Sequence, residues 1–274
     1  VYVFMEKLKR DSNRIDVNKL KPSENDGENL TGGYILKIDK TSGGDVAANE
    51  PLEYYEDNWA DDARYSEFLS FRSQYDIFGN ILSNEPFGPP YHSQQYLETY
   101  FLYEHPKAED ITPQQKSYIQ TYIRDFETAL LTDDFSTSER TYTDYIDLSS
   151  FVDYFILNEL TGNIDAYRLS TYMHKDKSGL LKMGPVWDLN IGYNRQDRVP
   201  TTDWIANYNQ YVSQDAWMVP FWWTRLLEDP VFKTALRVRW NELRNNTLSN
   251  SYVLSLVSDT SNYLISNGAI ARNY

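Results

Sequence analysis

The chain has 274 residues, 41% hydrophobic and 24% charged, with a formal net charge of −14. That length suits one large domain or two small ones, and the acidic balance, with no Lys/Arg-rich run, argues against a nucleic-acid partner because its field would repel a phosphate backbone. No apolar run approaches the ~18 residues of a membrane helix, and the absence of cysteine excludes disulfides, thiolate metal sites and a Cys nucleophile.

Val1–Lys7 (VYVFMEK) is rich in β-branched and aromatic residues and is expected to be a strand. The chain begins inside this run, as a processed or trimmed piece of a longer protein would. A polar, irregular connection leads to a second strand in GYILKIDK (Gly33–Lys40). From about 41 to 92, Asp, Asn, Gly and Pro recur among Tyr and Phe, which suggests a long aromatic-studded insertion. Gln94–Pro106 is expected to be extended again. Helices follow. ITPQQKSYIQTYIRDFETALL carries Thr112 as N-cap, Pro113 at the first helical position and Gln115 completing a capping box. Ile119, Tyr122, Ile123, Phe126 and Leu130 form its apolar face. DLSSFVDYFILNELTG is a second helix, with Val152, Phe155, Ile156, Glu159 and Leu160 near one stripe and Gly162 as its stop. A hairpin and a polar loop precede three more helices, one begun by Pro230 and the last capped by Ser249 or Asn250. Strands first and helices after give an α+β class. The expected division is a β-rich part over 1–110 and a helical part with the hairpin over 111–274.

The hairpin poses the functional question. RLSTYMHK and LLKMGP flank DKSG, a strong turn signal, and pairing arms of similar length should bring Arg168 beside Pro185. Asp165 precedes one arm and Asp188 follows the other, so both should lie at the hairpin's open end. Two carboxylates held close repel unless they share a proton or a cation. They could be an acid/base pair, a divalent metal site, a base beside a metal ligand, or two unrelated turn aspartates.

The stretch FVDYFILNELTGNIDAYRLSTYMHKDKSGLLKMGPVWDLN resembles the signature region of the CotH family, the spore-coat-protein-H-like atypical kinases. VYVFMEKLKRDSNRIDVNKL, GGYILKIDK, ITPQQKSYIQTYIRDFETAL and FWWTRLLEDPVFKTALRVRWNELR agree with it in order. The most specific elements are the NxD of Asn163–Asp165 and the WDxN of Trp187–Asn190. The resemblance implies a reduced protein-kinase-like fold that binds ATP with Mg²⁺ or Mn²⁺ and phosphorylates Ser of a protein. Under it, Asp165 matches the catalytic aspartate and Asp188 the metal-holding one; Trp187, beside Asp188, could line the nucleotide pocket or be a core residue packing the hairpin. Ser170 stands where kinases place a metal-ligating Asn, and Asn190 where many relatives carry a second Asp. Both changes lower the site's negative charge. A phosphate-reaching Lys and its orienting acid would come from Glu6, Lys7, Lys37 and Lys40, which could equally be solvent-facing strand charges. No Gly-rich phosphate loop appears, and Gly32–Gly33 is too weak to stand in for one.

His92, His105 and His174 are too scattered for a zinc site. PFWWTRLL suits an amphipathic core helix better than an aromatic platform. Asp57, Asp61 and Asp62 with Tyr54, Tyr55 and Trp59 resemble a sugar- or Ca²⁺-binding surface in composition only. A cysteine-free, Tyr-rich acidic chain suits an exported bacterial protein, at the cell surface, periplasm or spore coat. The expectation is therefore an exported kinase acting on a coat or surface protein. The alternative is a non-catalytic module of the same fold that binds a protein or polysaccharide. A glycosidase carboxylate pair is a weaker third.

Overall fold

The computed structural model describes residues 8–41, 63–88, 92–193, 197–213, 215–269 and 271–272. Five strands form one antiparallel sheet: β1 (Tyr34–Ile38), β2 (Ser70–Arg72), β3 (Tyr100–His105), β4 (Thr171–Lys175) and β5 (Leu181–Val186), in the order β2-β3-β1-β4-β5. Seven helices accompany it among the described residues: α1 (Gly27–Leu30), α2 (Pro113–Leu131), α3 (Leu148–Thr161), α4 (Tyr208–Tyr211), α5 (Trp222–Glu228), α6 (Pro230–Asn245) and α7 (Asn250–Ser266). The expected α+β class is what the chain adopts. The sheet draws strands from both sides of residue 110, because the β4–β5 hairpin pairs with β1.

Alternation along the strands sends their two faces to different places. Tyr34, Leu36 and Ile38 of β1, Phe101 and Tyr103 of β3 and Met173 of β4 enter the main core with α2, α3 and α5. Ile35 and Tyr172 on the opposite face make a small cluster with Ile15 and Val17, bordered by Leu8 and Trp187. Lys37 is the one half-buried position in β1.

Local signals explain the long helices. Thr112 and Gln115 form a reciprocal capping box ahead of α2, and Ile119, Ile123, Phe126 and Leu130 are buried along its inner face. Asp147 caps α3 and Gly162 ends it at φ 59. Asp229 caps α6 with Pro230 at the first turn, and Ser249 caps α7. The PFWW segment is core. Trp222 stacks on Phe101 at 5.6 Å and meets Phe126 edge-on at 4.9 Å, and Trp223 lies 4.4 Å from the ring of Tyr167. Such ring pairs add about 0.5–1.5 kcal/mol each beyond the area they bury. Trp223 thereby ties α5 to the turn that carries Asp165.

Several expectations are corrected. Leu160 lies on the exposed side of α3. Gln95–Leu97 forms a 3-10 turn, so only the later part of Gln94–Pro106 is strand. The 41–92 stretch contributes β2, a strand the sequence reading did not expect, and the polar loop after the hairpin holds α4. The Val1–Lys7 strand and the Tyr54–Asp62 cluster lie outside the described residues. Gly32 and Gly33 serve packing. A Cβ on Gly32 would fall 1.9 Å from the Asp176 backbone, and one on Gly33 (φ 94) would meet the Asn18 carbonyl at 2.6 Å. Bare Gly32 lets the hairpin turn lie against the start of β1, and bare Gly33 makes room there for Asn18 and Leu20.

Candidate functional site

The site starts at the end of α3. Gly162 in the left-handed region reverses the chain, and the buried Asn163 donates from Nδ2 to Asn158 Oδ1 at 3.0 Å. Its own Oδ1 accepts the Asp165 amide at 3.3 Å. The Asn of NxD is thus a bracket that fixes the Asp165 backbone to the helix. Tyr167 follows at φ 72 and Ser170 at φ 47, and these turns carry the chain off the ladder. The hairpin therefore pairs Thr171 with Val186 and ends there, with a register shift between Thr171 and Met173. Arg168 does not reach Pro185; it turns inward instead.

Arg168 is 3% exposed, and each of its three nitrogens donates a hydrogen bond. Nε donates to the Ile164 carbonyl at 3.0 Å, Nη1 to the Trp217 carbonyl at 3.1 Å and Nη2 to Asp165 Oδ1 at 2.7 Å. The guanidinium lies 4.4 Å from the Tyr208 ring centroid and its Nη1 3.6 Å from Asp215 Oδ2. Asp165 Oδ1 is therefore immobilised, while Oδ2 makes no hydrogen bond among the described residues. Asp215 Oδ2 also accepts from Tyr208 Oη at 2.7 Å and pairs with Arg198 Nη1 at 3.3 Å.

Asp188 stands just past β5 at φ 60 and heads the 3-10 turn Leu189–Ile191. That turn is docked on the end of α3, where the Tyr193 amide donates to the Thr161 carbonyl. Thr161 is four residues before Asp165, so the segments after Asp188 and before Asp165 meet. Asp188 and Asn190 are exposed, and Asn190 makes no polar contact among the described residues. Trp187 is half-buried against the Tyr172 cluster.

Asp39, which the sequence reading passed over, lies at the end of β1 facing this place. It accepts the amide of Lys40 at 2.9 Å, and the backbone of Ser170 is close enough to favour its charged form. Burial pushes its carboxyl above the ordinary range and the charge of Asp188 adds to that, against the opposing pull of Lys37 and the two backbone groups. Lys37 Nζ lies between Asp39 Oδ2 at 3.8 Å and Glu104 Oε2 at 3.9 Å. Lys40 sits over the Trp217 ring at 5.0 Å. Trp217 joins the two groups of charges. Its indole donates to Tyr65 Oη at 2.8 Å, Tyr65 Oη donates to the Asp39 carbonyl at 2.7 Å, and its own carbonyl holds Arg168.

The fold thus gathers Lys37, Lys40, Ser170 and Asp188 around Asp39, and joins them through Trp217 to the Arg168-bound Asp165. Glu6 lies outside the described residues. Asp39, Glu104, Arg168, Arg198 and Asp215 escaped sequence reasoning. Only Arg168, three residues after Asp165 inside the NxD stretch, offered a local signal. The oxygen donors here, the Asp39 and Asp188 carboxylates with the Asn190 amide and the Ser170 hydroxyl, suit a hard cation such as Mg²⁺. No cluster of three or more His, Cys, Asp or Glu that could hold a metal ion forms among the described residues.

The scattered histidines hold separate jobs: His92 meets Glu98 at 3.2 Å, and His174 Nδ1 lies 3.0 Å from the Gly184 carbonyl. No helix among the described residues is long and apolar enough to cross a membrane.

Comparison with curated proteins and with solved structures finds no match. A family model described as CotH kinase protein matches residues 1–270. With nearly the whole chain matched, the protein belongs to the CotH kinase family.

Proposed function

We propose that the protein is an exported kinase that transfers the γ-phosphate of ATP to Ser of a coat or surface protein, dependent on Mg²⁺ or Mn²⁺. Family membership implies a kinase-like fold and ATP. The observation that carries the finer reading is the state of Asp165. One oxygen is locked by a buried Arg168 and the other is left open, beside the segment that delivers Asp188.

Phosphoryl transfer asks mainly for positioning and charge stabilisation. Asp165 Oδ2 would accept the hydrogen bond of the incoming Ser hydroxyl and orient it, since Arg168 prevents the carboxylate from rotating away. Lys37 would reach a phosphate oxygen, with Glu104 and Asp39 setting its direction. Asp188, aided by Asp39, Asn190 and Ser170, would hold the divalent cation, which when bound shields the phosphate charge. Trp187, one residue earlier, would place its ring near the nucleotide. The lack of cysteine suits the exported setting.

Incubation with γ-labelled ATP, Mn²⁺ and a Ser-rich protein such as dephosphorylated casein tests this. Label is expected on Ser of the added protein or of the chain itself, and Asp165→Asn should reduce it by at least 100-fold. A second reading, a non-catalytic module of the same fold binding a protein or polysaccharide, is favoured by Ser170 and Asn190 standing at expected ligand positions. It predicts no label with either protein.

A further inference from the structure

The chain carries 40 acidic and 26 basic residues, yet one guanidinium near Asp165 is only partly neutralised. Arg198 lies between Asp188 and α4 in sequence. Its Nη1 is anchored twice, donating to Tyr208 Oη at 2.9 Å and to Asp215 Oδ2 at 3.3 Å. Its Nε and Nη2 donate to nothing among the described residues, and its side chain is 42% exposed. Arg168, which grips Asp165, shares Asp215 with it. The order is thus Asp165, Arg168, Asp215, Arg198, in one chain of ion pairs. Arg198 also feels the charge of Asp165 directly.

Two arginines share the one carboxylate of Asp215, so the cluster Asp165, Asp215, Arg168, Arg198 has no surplus negative charge to consume the free face of Arg198. A planar guanidinium fixed at one nitrogen and open at the other two suits a two-point bond to phosphate oxygens. Asp165 can act on an acceptor hydroxyl only if the transferred phosphoryl group lies next to that hydroxyl, within reach of its neighbours. In that arrangement the terminal phosphate of the nucleotide would be the anion offered to Arg198, at the far end of the chain of ion pairs from Asp165.

We propose that Arg198 binds the terminal phosphate of ATP through Nε and Nη2, and so distinguishes ATP from ADP at this site. The inference rests on the kinase reading. Stabilising charge on the equatorial oxygens of the phosphoryl group is the service an arginine renders in such transfers. Asp215 and Tyr208 act as the positioning pair that aims it.

The test is calorimetric titration of ATP and of ADP, each with Mg²⁺, into the native chain, Arg198→Gln and Arg198→Lys. The native chain should bind ATP more tightly than ADP. Arg198→Gln should lose about tenfold or more in ATP affinity with ADP affinity within about twofold, and Arg198→Lys should fall between, since a single ammonium cannot make the two-point bond. An unchanged ATP to ADP ratio in Arg198→Gln would overturn the proposal and leave Arg198 as a counter-ion of Asp215. Equal losses for both nucleotides would overturn it as well, by showing a structural effect. If the native chain binds neither nucleotide, the kinase reading itself fails and this inference falls with it.

Discussion

Arg168 makes five contacts from one buried position, to two carbonyls, two carboxylates and an aromatic face, and its three nitrogens and its plane are all engaged. A lysine offers a point charge without the fork. Arg168→Lys should therefore leave two carbonyls and two carboxylates short of donors. It is expected to lower stability by about 2–4 kcal/mol, by analogy with breaking a buried ion pair, as read by urea unfolding. Asp165→Asn keeps the volume and can still accept from Arg168 Nη2, but it removes the negative charge paired with that buried guanidinium, so it should lose transfer together with some stability.

Glu127 is a second informative residue. It is fully buried between Ser73 Oγ at 2.8 Å and Trp222 Nε1 at 2.9 Å, and burial pushes its carboxyl up to about 8. A carboxyl whose folded value is raised from 4.5 stabilises the fold fully below pH 4.5, and that contribution is lost as pH rises through 8. Glu127→Gln stays neutral throughout and can still meet both neighbours. The difference in melting temperature between native chain and variant should shift in the variant's favour from pH 5 to pH 8, by the equivalent of a few kcal/mol. A pH-independent difference would show that the carboxyl does not titrate in this window.

At the scale of elements, caps carry measurable stability. Thr112→Ala removes one bond of the α2 capping box and should cost about 1 kcal/mol. Gly162→Ala forces a side chain into the left-handed region and should cost a similar amount. The second change should also disturb Asp165, because Asn163 brackets that residue to the same turn. Helices were legible in the sequence because their signals are local: Thr112, Pro113 and Gln115 sit within one turn, and Pro230 and Ser249 mark their own starts. β2 was not legible, since its three residues are a strand only through Phe101 and its neighbours on β3. The hairpin was legible from DKSG, but its register was not, because Tyr167 and Ser170 at positive φ take the chain off the ladder before Arg168 can pair.

At the scale of the whole molecule, the site exists only because the sheet joins distant segments. β1 pairs with β4, Lys37 opposite Tyr172 and Ile38 opposite Thr171, and that register places Asp39 against Ser170 and Asp188. No periodicity or spacing links residue 39 to residue 188, so the second carboxylate stayed invisible until the fold was known. Asp165 and Asp188 could be singled out from the sequence because one hairpin separates them. The chain's membership of the CotH kinase family agrees with the resemblance carried by NxD and WDxN. Trp217 holds the Asp39 and Asp165 halves together through Tyr65 and Arg168. Trp217→Phe should therefore weaken nucleotide binding more than it lowers melting temperature, because it cuts the link without emptying the core.

The most direct measurement is titration of ATP with Mn²⁺ into the native chain and into Asp188→Ala. Binding that requires the metal, and disappears in Asp188→Ala, is the expected result. ATP bound equally well by Asp188→Ala, or without any divalent cation, would contradict the assignment of Asp188 and with it the kinase site built around it.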